Sequence, residues 1–180
     1  MSKTYRIKLG AVTAQETAHR NLQCPDLVPN MGELLGDALR ARGWTVDAEG
    51  RTATKTLGQG ASRVAATVDL GAKTLDLKSE SSADLVGRAY DVEDNDERGK
   101  RAARENAEEQ RSATEARARE KAARALLSVE KTVADEVNLA VRETLRAAIL
   151  VKARQLGEVQ NVSDTQDADG RPVTRVTVSV

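Results

Sequence analysis

The feature that most constrains this fold is the run over residues 100–156, which contains neither glycine nor proline. Alanine, arginine, glutamate, lysine and leucine dominate the run, and these residues have high helix propensity. The run therefore predicts one long helix, or two helices broken near residues 106–114. As one piece it would extend roughly 85 Å at about 1.5 Å per residue, well beyond the width of a small sheet. We expect part of it to project from the sheet or to pack on a partner.

The two halves of this run differ in their apolar residues. The C-terminal half has an apolar stripe with three- and four-residue steps, which predicts packing on a sheet. The stripe consists of Leu126, Val129, Val133, Val137, Ala140, Val141, Leu145, Ala148, Ile149 and Leu156. Over residues 100–124 the only apolar residues are alanines, and Glu115 with Arg119 and Glu120 with Arg124 have the spacing of helical ion pairs. We predict that this half is solvated or contacts another helix through its alanines.

The first 80 residues predict a small β-rich region. Tyr5, Ile7 and Leu9 alternate with polar residues, which indicates a strand over residues 3–12, followed by a loop over 13–29. A meander of short antiparallel strands is predicted further along. Its strands cover residues 44–46, 52–57, 64–70 and 74–78.

A short helix is predicted between the first strand and the meander. Asn30 and Glu33 have the spacing of a capping box, which indicates a helix over residues 31–42. Gly43 would end this helix.

The rest of the chain predicts an acidic linker over residues 81–98 and a hairpin over 158–180. Alternating valines near the C-terminus and a turn over residues 167–170 indicate the hairpin. We predict an α+β fold: an antiparallel sheet with a short helix, from which one long charged helix or helical hairpin projects, closed by the C-terminal hairpin. The predicted regions are 1–80, 81–98, 99–157 and 158–180, the last completing the sheet.

The acidic residues before the long run partly match the template of a calcium-binding loop. Asp94, Asp96, Gly99 and Glu105 occupy positions 1, 3, 6 and 12 of a calcium-loop template. Arg98 falls at position 5 and places a cation where an oxygen ligand belongs. We therefore predict no metal site, and we interpret Asp167, Asp169 and Gly170 as hairpin-turn residues.

Catalytic and nucleotide-binding motifs are also weak. Cys24 and His19 are the only cysteine and histidine, and a nucleophile–base pair would further need an orienting group and an oxyanion site, which nothing in the sequence indicates. The sequence Gly58-Gln59-Gly60 lacks the third glycine of a dinucleotide fingerprint. We predict neither enzymatic activity nor a cofactor.

Charge and composition limit the functional classes and cellular compartments that fit this chain. The 28 basic and 28 acidic residues give zero net charge, which disfavours binding of nucleic acid by bulk electrostatics. The N-terminus lacks the pattern of a signal peptide, and no apolar run approaches the roughly 18 residues of a membrane span. One cysteine fits a reducing compartment. We expect a soluble cytoplasmic protein.

The candidate interaction residues lie in the first half of the long run. They are Ala103, Ala107, Ala116, Arg117, Lys121 and Arg124. We predict a non-enzymatic adaptor that assembles with itself or with a larger protein through this segment. The alternative is a nucleic-acid-associated module that uses the basic faces, although glutamates interrupt them.

Both ends of the chain carry a family pattern. The pattern consists of the opening YRIKLG, the segment MGELLGDALRARGW, and the closing segments ILVKARQLGEV and NVSDTQDADGRPVTRVTVSV. The chain resembles small accessory proteins encoded with FtsH- or MoxR-type AAA+ ATPases and von Willebrand factor A proteins in bacterial ternary systems. This resemblance implies a non-enzymatic partner of an ATPase-centred assembly, in stress or in defence against invaders. It carries over no catalytic residue.

Overall fold

The structure is a computed structural model that describes residues 3–58, 63–91, 96–168 and 172–179. It confirms the predicted α+β class. In chain order the elements are β1 (Lys3–Asn21), α1 (Met31–Arg40), β2 (Thr45–Val46), β3 (Thr52–Leu57), β4 (Arg63–Asp69), β5 (Thr74–Asp91), α2 (Asp96–Glu109), α3 (Arg111–Leu156), β6 (Glu158–Gln166) and β7 (Pro172–Ser179). Five strands form an antiparallel sheet in the order β1-β5-β4-β3-β2, and β6 with β7 forms a separate two-stranded sheet.

The chain divides into two compact units. Unit 1 comprises Met1–Ala18, Thr56–Ala65 and Leu77–Glu130. Unit 2 comprises His19–Lys55, Ala66–Asp76 and Lys131–Val180.

In unit 1, β5 corrects the predicted acidic linker. The strand continues to Asp91, and α2 begins at Asp96. Its inward positions are buried and carry mostly small residues, namely Ser79, Ser81, Leu85 and Gly87. The outward positions are polar and include Glu80, Asp84 and Arg88. The period of two is present, but small or polar residues on the buried side conceal it.

Strand β1 is also longer than predicted, because Gly10 shifts its phase. Tyr5 and Ile7 are the more buried positions before Gly10, whereas Val12 and Ala14 are the more buried positions after it. Gly10 has φ +120°, a conformation that favours glycine and allows the alternation to change by one residue. The predicted loop over residues 13–29 therefore begins only after Asn21.

The predicted break in the long helical run lies at Gln110, between α2 and α3. The backbone hydrogen bonds continue across it, from Gln110 N to Asn106 O at 3.1 Å and from Thr114 N to Gln110 O at 2.9 Å. The Asn106 side chain accepts a hydrogen bond from the backbone N–H of Arg88 at 3.3 Å. It also accepts one from the Gln110 side chain at 2.9 Å. Asn106 thus connects the break to β5.

The alanines of unit 1 pack against its own sheet at the α2 end. Ala103, Ala107, Ala118 and Ala122 are buried. At Gly87 of β5 a Cβ atom would lie only 1.7 Å from the carbonyl oxygen of Ala103, so helix and strand backbones are in close contact. The alanines allow this approach because their side chains are short. For Ala103 and Ala107 this corrects the predicted contact, which is with a strand and not with another helix.

In unit 2 the core is built from α1 and the second half of α3. Leu35, Leu39, Val133 and Val137 are fully buried. Helix α1 confirms the predicted short helix, and Gly43 follows its end with φ +77°. The predicted capping box does not form, since the Asn30 side chain makes no capping hydrogen bond.

Two carboxylates of α3 attach it to the segment after α1. Glu143 accepts two hydrogen bonds from the Arg42 guanidinium, at 2.7 and 2.5 Å. Glu136 accepts hydrogen bonds from Trp44 Nε1 at 3.0 Å and from Lys55 Nζ at 2.6 Å. These contacts fix the register of α3 in unit 2.

The stability of the protein should depend on pH through Glu143. The hydrogen bonds from Arg42 lower the pKa of Glu143. Its contribution to stability is therefore fully present above the ordinary glutamate pKa of about 4.3, and it is lost as the pH falls through the lower folded pKa. We expect Glu143→Gln to reduce the free energy of unfolding at neutral pH by less than about 1 kcal/mol, because the pair is exposed.

Urea unfolding of both proteins at neutral and strongly acidic pH measures this effect. The difference between them should disappear in acid. A difference of the same size at both pH values would contradict this role of Glu143.

The C-terminal hairpin differs from the prediction in its sheet. Strands β6 and β7 pair antiparallel, with Val162 opposite Val176, but they form their own sheet instead of completing the larger one. Only Gly157 separates α3 from β6, and Arg146 of α3 is 3.1 Å from Asp164 of β6. This short connection keeps the hairpin beside the end of α3. The predicted turn lies partly outside the described residues.

Candidate interaction surface

The structure separates the predicted interaction residues into two groups. Ala103 and Ala107 have 0% exposure and lie against β5. The other four are exposed on α3: Ala116, Arg117, Lys121 and Arg124. Leu127, which is 69% exposed, follows Arg124 by three residues and therefore extends the same face. We call these five exposed residues the outer face.

Ion pairs within the chain determine which charged side chains of the outer face are available to bind a partner. Glu115 is 3.4 Å from Arg111, and Glu120 pairs with Arg124. The second pair was predicted, whereas Arg119 lies 3.6 Å from Glu16 of β1 and is not bonded to Glu115.

The glutamates that interrupt the basic face are thus engaged with other arginines. Within the described residues, Arg117 and Lys121 have no ion-pair partner. The outer face therefore carries two uncompensated positive charges.

A cleft of about 400 Å³ adjoins the outer face at the helix break. We call it the break cleft. Its lining residues are Ala83, Asp84, Val86, Arg88, Gln110, Thr114 and Arg117. The single acidic residue of the lining, Asp84, is 2.8 Å from Lys8 Nζ. Neither Arg88 nor Arg117 has a side-chain partner in the part of the chain that the structure describes.

Sequence reasoning missed Arg88, because the residue fell within the predicted linker. The alternation of small buried and polar exposed residues over 79–88 is the signal that places it on a strand. Arg117 was recognised from helical spacing.

A second cleft, in unit 2, has its cations already paired. Its volume is about 670 Å³, and Arg40, Arg51 and Lys73 are its cations. These pair with Asp37, Glu49 and Asp26, respectively. The Asp69 side chain, also in the lining, accepts hydrogen bonds from the backbone N–H groups of Gly71 and Ala72. These contacts give the cleft a structural role in holding the turns together.

The residues considered for catalysis or metal binding make other contacts. Cys24 is buried, and burial raises the pKa of its thiol. His19 Nδ1 is 2.7 Å from Asp76 Oδ1. Asp96 accepts a hydrogen bond from the Tyr5 hydroxyl at 2.8 Å, whereas Asp94 lies outside the described residues. No cluster of potential metal ligands occurs in the described ranges.

Comparison with protein families decides the family of this chain. The model of FtsH ternary system domain X5 matches residues 1–178. The chain belongs to the FtsH ternary system domain X5 family. This confirms the resemblance to small accessory proteins of an FtsH/AAA+ ternary system. Curated proteins and solved structures give no match to this FtsH ternary system domain. Among its described helices, none is both long and apolar enough to span a membrane.

Proposed function

We propose that this FtsH ternary system domain is a cytoplasmic, non-enzymatic adaptor that binds a larger protein of its system through the outer face of α3. The observation that carries the proposal is the pair of uncompensated charges at Arg117 and Lys121, on the same exposed stretch of α3 as Leu127. An exposed leucine on a helix segment that also carries available cations suits a protein interface, where apolar contacts are combined with charge complementarity. No cofactor takes part.

The proposed partner is an FtsH-type ATPase, as the family description suggests. A von Willebrand factor A protein is the other partner that the sequence resemblance implies. Self-association through a coiled coil is less well supported, because Ala118 and Ala122 are already buried. The outer face lacks the repeating apolar seam that a coiled coil needs.

Binding of the purified chain to the ATPase of its own system tests the proposal. We expect Leu127→Ser combined with Lys121→Glu to weaken binding by at least about tenfold. The matched control is Leu139→Ser combined with Lys152→Glu, because Leu139 is a second exposed leucine of α3 and Lys152 is an exposed lysine far along the helix from Leu127. Equal affinities of the two double variants, or self-association in place of ATPase binding, would overturn the proposal.

A further inference from the structure

We propose that the break cleft binds acidic side chains of the partner protein, and that Arg88 and Arg117 are its carboxylate-binding residues. The proposal rests on the adaptor function above and specifies the chemistry of the partner segment. The cleft adds a recessed, positively charged part to the outer face, since Arg117 belongs to both. We expect the partner to present one or more aspartate or glutamate side chains beside the segment that contacts Leu127.

The first support for this proposal is the position of the two arginines on a connected framework. Arg88 lies on β5, and its backbone N–H donates to the Asn106 side chain at 3.3 Å. Gln110 donates to the same Asn106 oxygen at 2.9 Å. The Thr114 hydroxyl donates to the Gln110 carbonyl oxygen at 2.9 Å, one turn before Arg117. Hydrogen bonds therefore connect the backbone segments that carry both guanidinium groups.

The second support is an excess of positive charge in the lining. Arg88 and Arg117 contribute two guanidinium groups, whereas the carboxylate of Asp84 is already paired with Lys8. An arginine forms two parallel hydrogen bonds with a carboxylate, which makes it well suited to this ligand. Ala83 and Val86 complete the lining with small apolar surface that suits the methylene groups of an acidic side chain.

The surroundings favour a protein ligand over a nucleic acid. Glu109, the last residue of α2, is exposed and has no ion-pair partner among the described residues, so it would repel a continuous phosphate backbone that passes the helix break. The zero net charge of the chain provides no general attraction for a polyanion. A cleft of about 400 Å³ has room for a short peptide segment. A few carboxylates at a local site match these properties better than a long polyanion does.

The direct test uses a fluorescent hexaglutamate peptide and the full chain, with fluorescence anisotropy at about 50 mM salt. We expect Arg88→Gln combined with Arg117→Gln to weaken peptide binding by at least about tenfold. The matched control is Arg101→Gln combined with Arg111→Gln, which makes the same change in net charge on α2 and α3. Both control arginines are already ion-paired, Arg101 with Glu105 and Arg111 with Glu108 and Glu115.

Three results would overturn the proposal for the break cleft. They are no peptide binding by the wild-type chain, equal weakening in both double variants, and tighter binding of a single-stranded oligonucleotide than of the peptide. Circular dichroism of all variants verifies that the fold is retained.

Binding to the ATPase separates this inference from the adaptor proposal. If ATPase binding requires Leu127 and Lys121 but is unchanged in the Arg88→Gln, Arg117→Gln variant, the adaptor function stands and the break cleft is wrong. If the wild-type chain binds the peptide but not the ATPase, the adaptor proposal fails while the cleft chemistry holds.

Discussion

Gly87→Ala should destabilise unit 1 by at least about 3 kcal/mol, beyond the usual range for overpacking a protein core. An added Cβ atom would lie 1.7 Å from the carbonyl oxygen of Ala103 and 2.9 Å from the Cβ atom of Ala107. The first contact is with backbone, so no side-chain rotation relieves it. Helix α2 must move away from β5, and the other close alanine contact at this end of the unit is then lost. Urea unfolding followed by circular dichroism measures the effect.

Gly71→Ala is the matched control for this substitution. A Cβ atom at Gly71 would lie 3.5 Å from a side-chain oxygen of Asp69, which is ordinary van der Waals contact. Gly71 also has no positive φ. We expect a change in the free energy of unfolding of less than about 1 kcal/mol. If the two variants were equally stable, the close packing of α2 on β5 would be wrong.

Glu136→Ala should reduce the free energy of unfolding by about 2–3 kcal/mol. The substitution removes the acceptor of both Trp44 Nε1 and Lys55 Nζ. Trp44 is buried and Lys55 is half-buried, so water replaces the lost carboxylate poorly. Lys55 retains a hydrogen bond to the Arg42 carbonyl oxygen at 2.9 Å. Thermal and urea unfolding measure the loss.

Two variants make the Glu136 test specific. Asp135→Ala removes a neighbouring carboxylate that is exposed on α3, and we expect it to change stability by less than about 0.5 kcal/mol. Glu136→Gln keeps an oxygen acceptor without the charge and should recover part of the stability. Wild-type stability in Glu136→Ala would show that this network does not hold α3 in unit 2.

The sequence is most informative where one physical signal dominates. The absence of glycine and proline over residues 100–156 predicts the helical run, and the break at Gln110 lies inside the predicted interval. Large apolar residues at helical spacing likewise predict α1 and the buried half of α3. In each case the side chains that fill the core also reveal the element.

The apolar pattern does not reveal a strand where small or polar residues fill the buried positions. Ser79, Ser81 and Gly87 face inward on β5, so the alternation that marks a strand is hidden. The acidic residues on the outward side then suggest a linker. The predicted strand β1 is too short for another reason. The phase shift at Gly10 ends the regular alternation before the strand ends.

The candidate surface is predictable only in part for the same reason. Helical spacing identifies Arg117 and Lys121, but it does not distinguish them from the buried Ala103 and Ala107. That distinction depends on β5, which the sequence presents as a linker. The pairing of Arg119 with Glu16 across distant segments is also invisible in local spacing. Which charges remain available is therefore a property of the fold.

Co-purification of the tagged chain from its native cell extract tests the adaptor proposal most directly. The experiment is done at moderate salt, with and without nuclease, and mass spectrometry identifies the recovered proteins. We predict stoichiometric recovery of the FtsH-type ATPase, unaffected by nuclease and lost in the Leu127→Ser, Lys121→Glu variant. Recovery of nuclease-sensitive material alone, or of the tagged chain alone, would contradict the account.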